Sequence, residues 1–124
     1  DLNEAIPIGC NINPIYQHKS YLKDLEHRLE ILQKQIINNN IHYLVHCKGA
    51  DSHNLDDMRG QLTTKEWLKA SEMVYCFVKE TSLIIKKPLP LTISLFGGYR
   101  RKAYNKVLDL HLKDLELCHN ILCG

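Results

Sequence analysis

Two side chains in the sequence combine useful chemistry with the placement expected of a reaction site. Asp51 follows the short apolar run 41–47, and Tyr99 follows a second apolar run, 91–96, from which two glycines separate it. Such short, apolar and partly β-branched runs predict strands that are buried on both faces. Ligands of open parallel sheets bind beyond the carboxyl ends of the strands, so both side chains are expected to face one cleft.

Each of these side chains has a chemical and a structural interpretation. The Asp51 carboxylate is able to bind a divalent metal ion, or to cap the backbone of its own loop. The Tyr99 hydroxyl is able to donate a hydrogen bond to a developing oxyanion, or the ring simply packs over a turn. Gly97 and Gly98 permit a sharp turn or a close approach to a ligand. The local sequence leaves these alternatives open.

The remaining apolar patterns predict the helices that position these two loops. Thr63 or Thr64 is expected to cap a helix, with Glu66 in its first turn. Strands that alternate with helices indicate an α/β chain with parallel strands and right-handed crossovers. The predicted ranges are about 17–37, 63–85 and 102–122 for helices, and 5–12 for a weaker additional strand.

Composition narrows the class of protein. The 124 residues suffice for about one small domain, and 16 basic against 14 acidic residues, spread along the chain, give no footprint for nucleic acid. No run is long and apolar enough to suggest a membrane span. Five cysteines without a Cys-x-x-Cys pair favour a reducing compartment, the cytoplasm, with the nucleus or a host cell as alternatives. Cys47 and Cys76 are expected to be small buried hydrophobes.

The small number of strands predicts that the chain is incomplete by itself. Three parallel strands would leave unpaired edges and need cover on both faces. We therefore expect another chain or segment to supply more of the sheet. The start at Asp1 without a methionine is typical of a processed piece or of a removed initiator.

Several short motifs, in their order and spacing, resemble the zinc-dependent histone deacetylase branch of the arginase and deacetylase superfamily. They are Gly49-Ala50-Asp51, Asp56-Asp57-Met58-Arg59-Gly60, Leu62-Thr63-Thr64 and Gly97-Gly98-Tyr99. The resemblance covers nearly all of the chain. It implies that residues 1–124 are the C-terminal part of a three-layer deacetylase domain with parallel strands.

The resemblance also implies roles for single residues. Asp51 matches a zinc ligand, and Tyr99 matches a tyrosine that polarises the acyl carbonyl and stabilises the tetrahedral intermediate. Met58 matches a hydrophobic position that lines the acyl-lysine tunnel, and Gly97 and Gly98 are expected beside the substrate. The implied reaction is hydrolysis of acyl-lysine or acyl-amine amide bonds by water that Zn²⁺ activates.

The chain also departs from the family pattern. Arg59 replaces a common glycine, and Phe96 replaces a glycine, glutamate or serine. The resemblance therefore does not specify the shape of the tunnel or the substrate preference. Asp56 matches an acid that holds the loop's shape, and His53 matches a position that binds no metal. The upstream Asp-x-His and His-His motifs have no counterpart, and a catalytic zinc needs about three protein ligands. An N-terminal portion, as a separate chain or fragment, is therefore expected to complete the site, and the chain alone is expected to be inactive.

Two other functions remain open on the sequence. A non-catalytic interaction module with a deacetylase-like fold would keep these motifs and use its sheet edge or cleft for a partner. An arginase-like hydrolase is the third alternative, and the Gly-Gly-Tyr motif counts against it.

Overall fold

The computed structural model describes residues 21–60 and 62–124, which form three helices and a two-stranded parallel sheet. A short 3₁₀ turn, Ala50–Ser52, follows the first strand. The mixed α/β architecture with parallel strands agrees with the prediction, and the strand predicted over 5–12 lies outside the described residues. The elements are α1 (Tyr21–Ile37), β1 (Leu44–Gly49), α2 (Thr64–Ile84), β2 (Leu91–Phe96) and α3 (Asn105–Leu122).

The first strand begins and ends later than its apolar pattern predicted. Its pairing with β2 runs from Leu44 opposite Leu91 to Gly49 opposite Phe96. The strand bounds follow this register, because backbone groups need partners on the neighbouring strand. Lys48, which the sequence assigned to the loop, therefore belongs to β1.

Helix α2 begins where the sequence predicted it. The Thr63 hydroxyl accepts a hydrogen bond from the Glu66 amide at 3.2 Å, and the Glu66 carboxylate accepts one from the Thr63 amide at 2.8 Å. This capping box satisfies two amides of the helix start. After the helix, Lys86 adopts a φ of 57° and Pro88 follows, so the chain turns towards β2.

Helix α3 begins at Asn105, three residues later than predicted. Ala103 adopts a φ of 55°, which lies in the left-handed region and interrupts a right-handed helix. The basic stretch Arg100-Arg101-Lys102 consequently lies in an irregular segment that precedes the helix.

The helices cover one face of the sheet, and the prediction that both strands are buried on both faces is wrong. On β1, His46 contacts the Tyr75 ring and Lys48 is buried against Trp67, both on α2. Val45, which points the opposite way, is 52% exposed, and Phe96 at the end of β2 is 53% exposed. Cys47 is exposed for the same reason, contrary to the expectation that it is buried, and Cys76 is partly buried.

Two clusters of buried apolar side chains hold the helices together, and the second also packs against Leu44 of β1 and Leu91 of β2. The first surrounds Trp67 below the carboxyl end of β1, and the second surrounds Phe77 at the opposite end of α2. Among the described residues, no helix is both long enough and apolar enough to cross a membrane.

Candidate functional site

The Asp51 carboxylate lies at the carboxyl end of β1, against glycines from both strand ends. A Cβ atom built on Gly97 would lie 2.5 Å from Asp51 Oδ1, and one built on Gly49 would also overlap that oxygen. Any larger residue at either position would displace the carboxylate. The structure thus brings together Asp51 and the Gly-Gly turn, which lie 46 residues apart in the sequence. No hydrogen bond to the Asp51 carboxylate is found within the described part of the chain.

The Gly97-Gly98 pair reverses the chain after β2 and presents Tyr99. Their φ angles are 65° and 89°, a conformation that residues with a Cβ atom rarely adopt. A Cβ atom on Gly98 would also lie 2.6 Å from Cγ1 of Val107. The Tyr99 side chain is 57% exposed, and its hydroxyl forms no hydrogen bond to any described residue. The phenol is therefore accessible to a ligand.

Asp56 joins the loop after β1 to the turn after β2. Its buried carboxylate accepts hydrogen bonds from the Met58 amide and from the Tyr99 amide, both at 2.9 Å. Asp57 adds a second connection, because its carboxylate accepts from the Arg101 amide at 3.0 Å. Asp56 therefore holds the shape of the loop, the role that the resemblance implies, and Met58 lies in that loop with its side chain exposed.

The Asp56→Ala variant is expected to lower the free energy of unfolding by about 2–3 kcal/mol, because two backbone amides lose a charged acceptor. Asp57→Ala serves as the matched control. It removes one exposed hydrogen bond and should lower that free energy by less than about 1 kcal/mol. Urea unfolding of the two variants measures the difference, and equal losses would contradict the role assigned to Asp56.

Arg59 occupies a position where the resembling family commonly has glycine. Its φ of 57° lies in the left-handed region, which glycine adopts with the least strain. The Arg59 amide donates to the Asp56 carbonyl at 2.9 Å, which closes the turn. An arginine thus occupies a left-handed turn position that favours glycine.

His53 has a structural role in the same loop. Its Nδ1 accepts a hydrogen bond from the Leu55 amide at 3.2 Å, so Nε2 carries the proton and donates it to the Thr64 hydroxyl at 2.7 Å. Burial, followed by the nearby charge of Arg100, lowers the pKa of His53. Because both ring nitrogens are used, His53 offers no free metal ligand in this arrangement.

A groove of about 290 Å³ adjoins this loop beside α3. Its lining includes His53, Arg100 and Lys106, but neither Asp51 nor Tyr99. The groove is consequently separate from the site that the sequence predicted.

Beneath the site lies a set of buried polar side chains that sequence reasoning missed. Its central members are Lys48, 6% exposed, and Asp114, which is fully buried. Asp114 accepts a hydrogen bond from the Tyr75 hydroxyl at 3.0 Å. Burial lowers the pKa of Lys48 to about 8, although the charge of Asp114 opposes this change. We call this set the buried polar cluster; it comprises His46, Lys48, Ser71, Tyr75, His111 and Asp114.

The buried polar cluster contains more polar atoms than its protein hydrogen bonds satisfy. Unpaired buried groups of this kind lower stability, and a charged lysine in such a place is unusual. The one signal in the sequence for the buried polar cluster was a lysine at the end of an apolar strand. Within the described residues, the atoms without a partner are Nε2 of His46, Oγ of Ser71, Nδ1 of His111 and Oδ2 of Asp114.

Stability is expected to fall as the pH falls from about 6.5 to about 4. Burial, assisted by the Lys48 charge, lowers the pKa of His46 from 6.5 to about 4, against the opposing effect of Asp114. In this window the unfolded chain binds the proton and the folded chain does not, so acid favours unfolding by up to about 1.4 kcal/mol per pH unit. Burial also lowers the pKa of His111 and acts in the same direction.

The measurement is urea unfolding at pH 7 and pH 5. The His46→Leu variant should show a smaller loss between these values than the native sequence, because it has no imidazole to protonate at this position. An identical loss in the variant would contradict the assignment to His46.

The described residues do not form a complete zinc site. Asp51 supplies a carboxylate with free oxygens, but residues 21–60 and 62–124 contain no group of three His, Cys, Asp or Glu side chains that is arranged to hold a metal ion. A catalytic zinc needs about three protein ligands. The other ligands must therefore come from outside this part of the chain if the ion binds here.

No protein-family model matches this chain, and neither the curated proteins nor the solved structures gave a significant match. The functional argument therefore depends on the motifs and on the geometry of the site.

Proposed function

We propose that this chain is the C-terminal portion of a zinc-dependent deacetylase that hydrolyses acyl-lysine or acyl-amine amide bonds. The observation that carries the proposal is the meeting of Asp51 with Gly97 at the carboxyl ends of two adjacent parallel strands. The bond from the Tyr99 amide to Asp56 ties the two loops together. This edge of a parallel sheet is where ligands of such folds bind.

Three side chains of the site have separate roles in this proposal. Asp51 binds the zinc ion through the carboxylate oxygens that have no partner among the described residues. Tyr99 donates a hydrogen bond from its hydroxyl to the oxyanion that develops on the acyl carbonyl. Met58 lines the path of the acyl chain. When bound, zinc supplies the Lewis acid that lowers the pKa of a water molecule.

The uncovered parts of the sheet support the proposal that a further portion completes an arginase and deacetylase-type three-layer fold. Parallel sheets are normally covered on both faces, whereas here Val45 and Phe96 are exposed on the face opposite the helices. Both strands also keep an unpaired edge within the described sheet. We propose an N-terminal portion as the occupant, in a reducing compartment such as the cytoplasm.

The protein isolated from its natural source is expected to have a larger mass than this chain, by size exclusion with light scattering. Peptide sequencing should find the additional portion, as a separate chain or a preceding segment, and it should contain an Asp-x-His and a His-His motif. These supply the missing ligands and the general base. A stable monomer of these 124 residues with full deacetylase activity would overturn the proposal.

A non-catalytic interaction module is the second candidate. The presence of one metal-ligand candidate, without a group of three in the described residues, is the observation that favours it. The same sequencing experiment separates the two, because a completing portion without Asp-x-His and His-His would favour the module.

A further inference from the structure

Three contacts join the end of β1 to Trp67, two of them from Lys48 and one to Gly49. The Lys48 ammonium donates to the backbone carbonyl of Trp67 at 2.8 Å and lies 3.7 Å from the centroid of its ring. The indole N–H of Trp67 donates in return to the carbonyl of Gly49 at 2.9 Å. We call this arrangement the Lys48–Trp67 clamp. It joins the last two residues of β1 to the first turn of α2.

The Lys48–Trp67 clamp acts on the residue against which Asp51 rests. The Gly49 carbonyl accepts the indole N–H and also the Ser52 hydroxyl, the latter at 3.2 Å. Asp51 Oδ1 occupies the space that a Cβ atom on Gly49 would fill. The Asp51 carboxylate thus rests beside a residue whose carbonyl is held by Trp67.

The composition of the clamp is difficult to explain by stability alone. Trp67 is fully buried, so its indole N–H needs an acceptor, and the acceptor is the strand-end carbonyl of Gly49. A charged lysine is among the least favourable residues to bury, and an apolar side chain of similar volume is often neutral or stabilising in its place. Besides its interaction with the buried charge of Asp114, the ammonium contacts both the carbonyl and the ring of Trp67, and so helps to align Trp67 with Gly49.

We propose that the Lys48–Trp67 clamp is a positioning device that holds Asp51 in the orientation required to bind a metal ion. The clamp acts through Gly49, and neither of its side chains touches the ion. This inference rests on the proposed function, because it gives Asp51 the role of a zinc ligand. Partners that orient metal ligands typically change metal affinity by about 10–100-fold when they are removed.

The test measures zinc affinity in the complete protein, by competition with a chelating dye. Trp67→Phe removes the indole N–H and keeps an aromatic ring, and it should weaken zinc binding by about 10–100-fold. Lys48→Met keeps the length of the side chain and removes the ammonium, so it gives an independent answer if Trp67→Phe fails to fold. It should weaken zinc binding in the same direction.

Phe77→Leu is the matched control, because Phe77 is buried on the same helix but belongs to the other apolar cluster. This control should lose stability in urea and keep its zinc affinity. Zinc affinity that falls equally in all three variants would show a general effect of destabilisation and overturn the proposal, as would unchanged affinity in Trp67→Phe and Lys48→Met.

Asp51→Ala in the same assay separates the two hypotheses. If Asp51→Ala leaves zinc affinity unchanged, Asp51 is not a zinc ligand, and the proposed function fails together with the positioning role. If Asp51→Ala weakens zinc binding and the clamp variants do not, only the positioning role fails.

Discussion

The proposed function predicts that the Asp51→Ala variant of the complete protein loses bound zinc and deacylation activity together. Asp51 is the one candidate ligand that the described residues place at the strand ends, next to Gly97. Removal of a ligand from a site of about three leaves the ion too weakly held and changes the water that it activates. Activity should fall below detection on an acetyl-lysine peptide, and zinc content by mass spectrometry should fall with it.

Asp57→Ala is the control for this substitution. Asp57 lies in the same loop and carries the same charge, but its carboxylate accepts a hydrogen bond from the Arg101 amide. Its replacement should leave zinc content unchanged. Full zinc occupancy at normal affinity in Asp51→Ala would refute the assignment of Asp51 as a ligand.

The Tyr99→Phe variant is expected to lower kcat on an acyl-lysine substrate by about a hundred- to a thousandfold, or roughly 3–4 kcal/mol of transition-state stabilisation. The change removes only the hydroxyl, which forms no hydrogen bond to the described residues. Zinc content and the free energy of unfolding should therefore stay at their native values. Steady-state kinetics together with urea unfolding measures both parts of this result.

Tyr104→Phe is the matched control, since Tyr104 is also an exposed tyrosine and precedes α3. It should have native kcat. If Tyr99→Phe keeps its turnover in a protein that demonstrably deacylates, the Gly97-Gly98-Tyr99 motif is structural, and the resemblance fails at its most specific residue.

Local signals in the sequence predicted where an element begins or ends when that point is set by neighbouring residues. Thr63 and Glu66 fixed the start of α2, and the glycine pair after Phe96 fixed the end of β2. The start of α3 was not predictable in this way, because the positive φ of Ala103 has no signature in its residue type. The bounds of β1 depend on pairing with β2, which an apolar pattern alone does not specify.

Contacts between distant residues account for what the sequence did not predict about the site. Asp56 bonds to the Tyr99 amide 43 residues away, and Trp67 bonds to Gly49 across 18 residues. Neither contact follows from spacing or residue type. The burial of Lys48 was missed because a charge at a strand end normally indicates the beginning of a loop.

Zinc analysis of the complete protein and of this chain alone tests the central claim most directly. Both samples are freed of loosely bound metal by gel filtration and measured by inductively coupled plasma mass spectrometry. We expect about one zinc ion per complete protein and almost none on the chain alone, because one carboxylate is too few ligands to retain it. A complete protein without zinc, or a chain that alone retains a full equivalent, would contradict the claim that Asp51 contributes to a zinc site shared with another portion.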